Sequence, residues 1–147
     1  MYEPTRETLT LASKQRERAE TLLRRTIDGD VQAPTDIVDT WNDPDSSINR
    51  NWKEGHLPQY EGFVAPSAIK GSIGMADRLE TSRIKTVLAY LLKGKFEVQS
   101  PWPPTLQQRG NRFYVTNDGH HRSMVARAIG LDELYAEYTV VPPELLE

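Results

Sequence analysis

Asp118-Gly119-His120-His121-Arg122-Ser123 sets a carboxylate, two imidazoles, a guanidinium and a hydroxyl in consecutive positions. The residues before it, Arg112 to Thr116, are strand-like. The residues after it have helical apolar spacing (Met124, Val125, Ala128, Ile129), with Gly130 as the stop signal. A strand that turns through Asp-Gly directly into a helix leaves the free N–H groups of the first turn facing the corner. Their partial positive charge favours an anion. Gly119 lacks the Cβ that would block approach. His120 and His121 add donors, Arg122 offers a fork matched to phosphate oxygens, and Ser123 completes the set of phosphate-binding positions. The chemistry such a corner suits is phosphate binding, with histidines able to exchange a proton. Two other readings compete. A zinc ion would need both histidines to turn towards it, with Asp118 or distant His56 as third ligand. Alternatively, Asp118 simply caps the helix while a histidine packs against the preceding hairpin.

A second stretch has related chemistry. Lys70-Gly71-Ser72-Ile73-Gly74 follows a strand-like run from Phe63 to Ile69. Its glycines, Gly71 and Gly74, would let the backbone approach an anion to which Lys70 and Ser72 donate. A plain Gly-Ser turn explains the same residues. From Lys70 to Lys95 the cations Lys70, Arg78, Arg83, Lys85, Lys93 and Lys95 outnumber Asp77 and Glu80, a local basic excess that suits a phosphate-bearing partner.

The elements that must position these residues are readable from periodicity. A first helix is expected from Thr8 to Ile27, with Leu9, Ala12, Arg16, Ala19, Leu23 and Ile27 on one face, Glu20–Arg24 as a supporting pair, and Gly29 as terminator. Val31 to Gly62 is irregular apart from a short helical candidate, Asp36 to Trp41, capped by Thr35; Trp41, Trp52 and Tyr60 are expected to pack. A stronger helix spans Ser82 to Lys93, with Ile84, Val87, Leu88, Leu91 and Leu92 inward, Thr81 or Ser82 as cap and Gly94 as stop. A hairpin, Thr105 to Gln108 and Arg112 to Thr116 about Arg109-Gly110-Asn111, delivers the histidine box, and Tyr135 to Val141 is a last strand.

Composition sets outer bounds. The chain has 147 residues, enough for one core, and a net charge of −3, with 18 Lys and Arg against 21 Asp and Glu. Bulk charge therefore demands neither nucleic acid nor membrane. With Cys 0, disulfides, thiolate metal sites and cysteine nucleophiles are excluded for this sequence. The start lacks signal-peptide order and no apolar run nears the ~18 residues of a membrane span, so a soluble cytoplasmic protein without membrane contact is expected.

Strand-Asp118-Gly119-His120-His121-Arg122-helix, followed by Ala126-Arg127-Ala128-Ile129-Gly130-Leu131 and a short strand, resembles the signature segment of the ParB/sulfiredoxin superfamily, in particular small ParB-like proteins with a DGHHR box. Ile69 to Gly74 is similar to the first loop of such domains. The resemblance covers about residues 61 to 141. It implies an α+β fold, a compact ParB/sulfiredoxin-like domain (61–147) with a small mixed sheet and flanking helices, preceded by an N-terminal helical and irregular extension (1–60).

It further implies that the box holds the phosphates of a nucleotide. Gly119 to Arg122 match the Gly-Glu-Arg-Arg of ParB proper and the Gly-Cys-His-Arg of sulfiredoxin. His120 stands at the essential cysteine of the latter, so sulfiredoxin chemistry is excluded. Free-serine kinases of the superfamily use an Asp-Gly-His-Thr-Arg box for phosphoryl transfer. By that analogy the expected catalytic residues are Asp118, His120 and His121, with Asp118 as Mg²⁺ ligand or base. The expected ligand is a nucleoside triphosphate or related phosphate, and the implied activities are NTP hydrolysis, phosphoryl transfer or, by the family label, nuclease action. The acidic clusters of a two-metal nuclease are missing near the box. No helix-turn-helix follows it, so centromere-type DNA clamping is not expected. The alternative is a non-catalytic DNA- or RNA-binding or protein-interaction module using the box and the basic stretch, with homodimerisation through the N-terminal helix.

Overall fold

The computed structural model describes residues 7–44 and 57–146; Trp52 and His56 lie outside the described residues. The described residues form an α+β fold of three α-helices and one five-stranded mixed sheet. The strands are β1 (Gln59–Val64), β2 (Ile69–Ser72), β3 (Thr105–Arg109), β4 (Arg112–Val115) and β5 (Leu134–Val140). Their spatial order is β1-β5-β3-β4-β2, with β1–β5 and β3–β4 antiparallel and β5–β3 and β4–β2 parallel. The parallel pairings require crossovers, which the helices supply: α2 (Thr81–Leu92) lies in the chain between β2 and β3, and α3 (His120–Ile129) between β4 and β5.

The first helix, α1, runs over Ser13–Ile27 and not from Thr8. The residues before it are extended because they find a partner. Leu9 N–H donates to Phe96 O at 2.8 Å and Val98 N–H to Glu7 O at 2.9 Å. Ala12 begins the helix, its N–H donating to Gln15 Oε1 at 2.9 Å. The inward face is Ala19, Leu22 and Thr26, rotated from the expected Leu23 and Ile27. Ile27 is 63% exposed. Arg16, expected within the apolar stripe, instead extends both Nη atoms to Leu92 O at the end of α2, where a cation meets free carbonyls. Ile27→Lys is therefore expected to change stability by no more than about 0.5 kcal/mol, measured by urea denaturation; a loss of several kcal/mol would restore the expected face.

Helix α1 packs on α2 and α3, and Ala19 and Leu22 share one apolar cluster with Ile84, Leu88, Met124 and Ile129. The core thus runs across residue 60, where the sequence suggests a division. In α2 the buried positions are Ile84, Leu88 and Leu91, while Val87 and Leu92 are half-buried; Glu80, not Thr81 or Ser82, is the cap residue. In α3 Met124, Val125, Ala126 and Ile129 are buried and Ala128 only partly.

Two local expectations change. Asp36 to Trp41 is not a helix: a single 3₁₀ turn forms at Pro34–Asp36, where proline suits the first helical position. The Asp36 carboxylate, not Thr35, organises it, accepting N–H bonds from Gln32 (2.9 Å) and Ala33 (3.0 Å), which hold its pKa below the usual carboxylate value. The hairpin link is two residues, Gly110-Asn111, since Arg109 pairs with Arg112. No helix among the described residues is long and apolar enough to cross a membrane.

Candidate functional site at the mouth of the third helix

The box lies where the sequence places it, at the junction of β4 and α3. Gly119 is the cap residue of α3, with φ 94° in the left-handed region, and no side chain caps the helix. Asp118 therefore does not cap it. The turn is held from the backbone and from Thr105: Thr105 N–H donates to Asp118 O at 2.9 Å, and Asp118 N–H donates to Thr105 Oγ1 at 2.9 Å. The missing Cβ of Gly119 makes room for Pro104, whose Cβ, Cα and Cγ it would strike, rather than for a ligand as expected.

The first turn of α3 opens onto a cleft of about 450 Å³. Asn117 to Arg122 line it together with residues from before, within and just after α2, which bring Arg78, Glu80, Arg83 and the apolar Met75, Val87, Tyr90 and Phe96. Within it Glu80 bridges two arginines, Arg78 Nη2 at 2.9 Å and Arg83 Nε at 2.8 Å, which hold its carboxyl below the usual glutamate range. The cleft lining thus combines three arginines and the first turn of α3 with the aromatic rings of Tyr90 and Phe96. Among the described residues no group of three His, Asp or Glu could hold a metal, and His56, the third zinc ligand considered from sequence, lies outside them.

The two histidines have different roles. His121, 9% exposed, accepts the Glu80 N–H on Nε2 at 3.0 Å. That donor is the cap residue of α2, so the ring ties the start of α2 to the start of α3. Since a neutral imidazole has one acceptor nitrogen, the His121 proton resides on Nδ1. His120, 8% exposed, places Nδ1 at 2.7 Å from Ser72 Oγ. Its Nε2 is buried without a hydrogen-bond partner, as is Ser123 Oγ one turn on. Arg122 donates from Nη1 to Trp102 O at 2.7 Å, pinning the loop before β3 to the helix.

Burial lowers the pKa of both histidines. For His120 the Asn117 carbonyl opposes this, and Arg78 adds to it; for His121 the Glu80 carboxylate opposes it, and Arg83, His120 and Arg78 add to it. Both rings resist protonation more in the folded than in the unfolded chain, so on acidification the unfolded state takes up protons first. Stability is fully present above about pH 6.5 and falls as the pH drops from there through the lowered folded-state values, by at most about 1.4 kcal/mol per pH unit for each ring. Urea midpoints between about pH 7.5 and 5 are expected to decline with acid in this window; a flat or rising profile contradicts the assignment.

The second predicted stretch separates from the first. Lys70-Gly71-Ser72 is part of strand β2. Lys70 turns away, donating from Nζ to Ser67 O at 2.9 Å and lining a different surface depression with Asn111 and Arg112. Gly74 has φ 74° and donates its N–H to Asp43 Oδ2 at 2.8 Å, outside the cleft lining. Only Ser72 joins the box, and from within: fully buried, it touches His120 and not the cleft. Arg78, Glu80, Arg83, Tyr90 and Phe96 are cleft residues that the box does not announce; the local excess of cations between Lys70 and Lys95 was the available signal for the arginines.

Compared with protein-family models, with curated proteins and with solved structures, the chain matches none.

Proposed function

We propose that the cleft binds a phosphorylated ligand, a nucleoside triphosphate or related phosphate, with its phosphates at the first turn of α3 and its base against Tyr90 and Phe96. The observation that carries this is one cleft lined both by an uncapped helix start with Arg78, Arg83 and Arg122 and by the apolar and aromatic Val87, Tyr90 and Phe96. A ligand that joins phosphates to a flat apolar group matches that mixed lining; an inorganic anion uses only half of it. The mixed five-stranded sheet, with the box opening the helix between β4 and β5, supports a ParB/sulfiredoxin-type domain.

Binding is better supported than base catalysis by the box histidines. His121 commits its acceptor nitrogen to Glu80, and His120 directs Nδ1 at Ser72, so neither ring turns a basic nitrogen to the cleft. Asp118 and Glu80 are the carboxylates of the lining, Glu80 held by two arginines. A magnesium ion would accordingly come with the phosphates, keep most of its waters, and use Asp118 alone, where it would neutralise phosphate charge. The basic stretch proposed for nucleic acid is divided, since Lys70 does not join Arg78 and Arg83.

A nucleotide with Mg²⁺ at 100 times its dissociation constant is expected to add about 2.7 kcal/mol of stability, read as a rise in Tm. Arg122→Ala is expected to remove that rise while the protein stays folded. No shift with any common nucleoside triphosphate at millimolar concentration rules the proposal out. Phosphate release measured on a ligand that does bind separates holding from hydrolysis.

A further inference from the structure

We infer that Trp41 and Ser72 are positioning residues for this site: together they dictate that His120 carries its proton on Nε2 and keeps Nδ1 as an acceptor. Neither residue lines the cleft. Trp41 is 4% and Ser72 0% exposed. The segment before the undescribed residues reaches β2 through a parallel bridge between Asn42 and Gly71, with Asn42 N–H donating to Lys70 O at 3.2 Å and Ser72 N–H to Asn42 O at 3.0 Å. That bridge sets the Trp41 indole Nε1 at 3.1 Å from Ser72 Oγ, which in turn is 2.7 Å from His120 Nδ1.

The direction of the hydrogen bonds follows from what each group can do. An indole N–H only donates, so Ser72 Oγ accepts from Trp41. The hydroxyl then has one proton to place. Among the described residues the acceptor within hydrogen-bond distance is His120 Nδ1. A neutral imidazole that accepts on Nδ1 bears its proton on Nε2. The opposite tautomer would aim two donors at one hydroxyl and leave the hydroxyl proton, as well as the Nε2 lone pair, buried and unpartnered. Burying a second unsatisfied group makes that arrangement the costlier one.

The relay runs Trp41 to Ser72 to His120 and ends on Nε2, which is buried without a hydrogen-bond partner. For a phosphate oxygen at the first turn of α3 to accept from it, the atoms that cover Nε2 must move aside on binding. That last step rests on the function proposed above; the tautomer does not. Ser72 is therefore not the ligand donor its sequence context suggests, but the residue that orients one.

Long-range ¹H–¹⁵N spectra of the histidine rings in the full chain, near pH 7.5 and without ligand, test the relay directly. The expected result is an acceptor-type Nδ1 and a protonated Nε2 on His120. A His120 protonated on Nδ1 overturns the inference, and needs no variant. Ser72→Ala is expected to mix the tautomers and Ser72→Thr to restore one; a ring unchanged in Ser72→Ala also overturns it. With inorganic triphosphate as probe, Ser72→Ala is expected to bind about tenfold more weakly than the wild type, the loss of one oriented hydrogen bond, and Ser72→Thr to recover. If the wild-type tautomer is as stated but neither triphosphate nor nucleotides bind, the relay stands and the phosphate reading fails.

Discussion

Gly119→Ala is expected to destabilise the protein by about 2–5 kcal/mol and to abolish ligand binding in the cleft. Two effects add. The residue has φ 94°, where an L side chain costs about 1–2 kcal/mol. The new Cβ would also run into Pro104, a buried residue that cannot step aside. Glu137 N–H donates to Pro104 O at 2.9 Å, and the neighbouring Thr105 is bound to Asp118 through both N–H and Oγ1. Overpacking of such a corner costs about 1–3 kcal/mol more. Relief would come by shifting the start of α3, which carries His120, His121 and Arg122. Gly110→Ala is the control: its φ is 64° but nothing lies within 4 Å of an added Cβ, so only the conformational cost of about 1–2 kcal/mol applies. Urea denaturation of both variants decides the matter. Equal losses would mean that Pro104 yields freely.

Gly71→Ala is expected to cost about 3 kcal/mol or more, from a different cause. Here no positive φ is involved. The added Cβ would collide with the backbone of Asn42, its carbonyl oxygen above all. Backbone on both sides leaves no flexible side chain to move, so the Asn42 segment must lift from β2. Its two bridging hydrogen bonds, to Lys70 O and from Ser72 N–H, would lengthen or break, and Trp41 would leave its buried position beside Ser72. A red-shifted tryptophan emission together with a lower urea midpoint is the expected outcome. Unchanged emission with full stability would show that the segment is not seated there in solution. Because Trp41 heads the relay to His120, this substitution is also expected to weaken triphosphate binding, although residue 71 does not line the cleft.

The two glycines illustrate how much can be read in a sequence. Both stand out as places where the backbone comes close to something. What comes close differs from the sequence reading in each case: Pro104 and Asn42, not an anion. Glycine marks the need for space, and the identity of the neighbour is set by contacts remote in the chain. The same holds for the first helix. Its existence and its stop at Gly29 (φ 83°) follow from local pattern, but Leu9 drops out of the helix because residues 7–9 pair with residues 96–98, and Ile27 is exposed because the face that packs is Ala19, Leu22 and Thr26. Apolar periodicity alone cannot choose between Leu22 and Leu23 when both are present.

The box itself was legible: strand, left-handed glycine, histidines at the opening of a helix, and Gly130 (φ 78°) at its end. These are properties of neighbours along the chain, governed by backbone sterics and local hydrogen bonding. The division of labour between the histidines was not. His121 meets Glu80 across 41 residues and His120 meets Ser72 across 48, and nothing in the spacing of either pair signals the contact.

Residue pattern along the chain is enough for the absence of cysteine chemistry, for the helix and hairpin that present Asp118 to Ser123, and for the concentration of cations between Lys70 and Lys95. It takes long-range packing to bring Arg78 and Arg83 to the box and not Lys70, to bury Ser72 against His120, and to make His121 join two helices. This is because the start of α3 and the start of α2 acquire a common cleft through packing on a shared core, where burial and donor–acceptor matching select partners that no local period encodes.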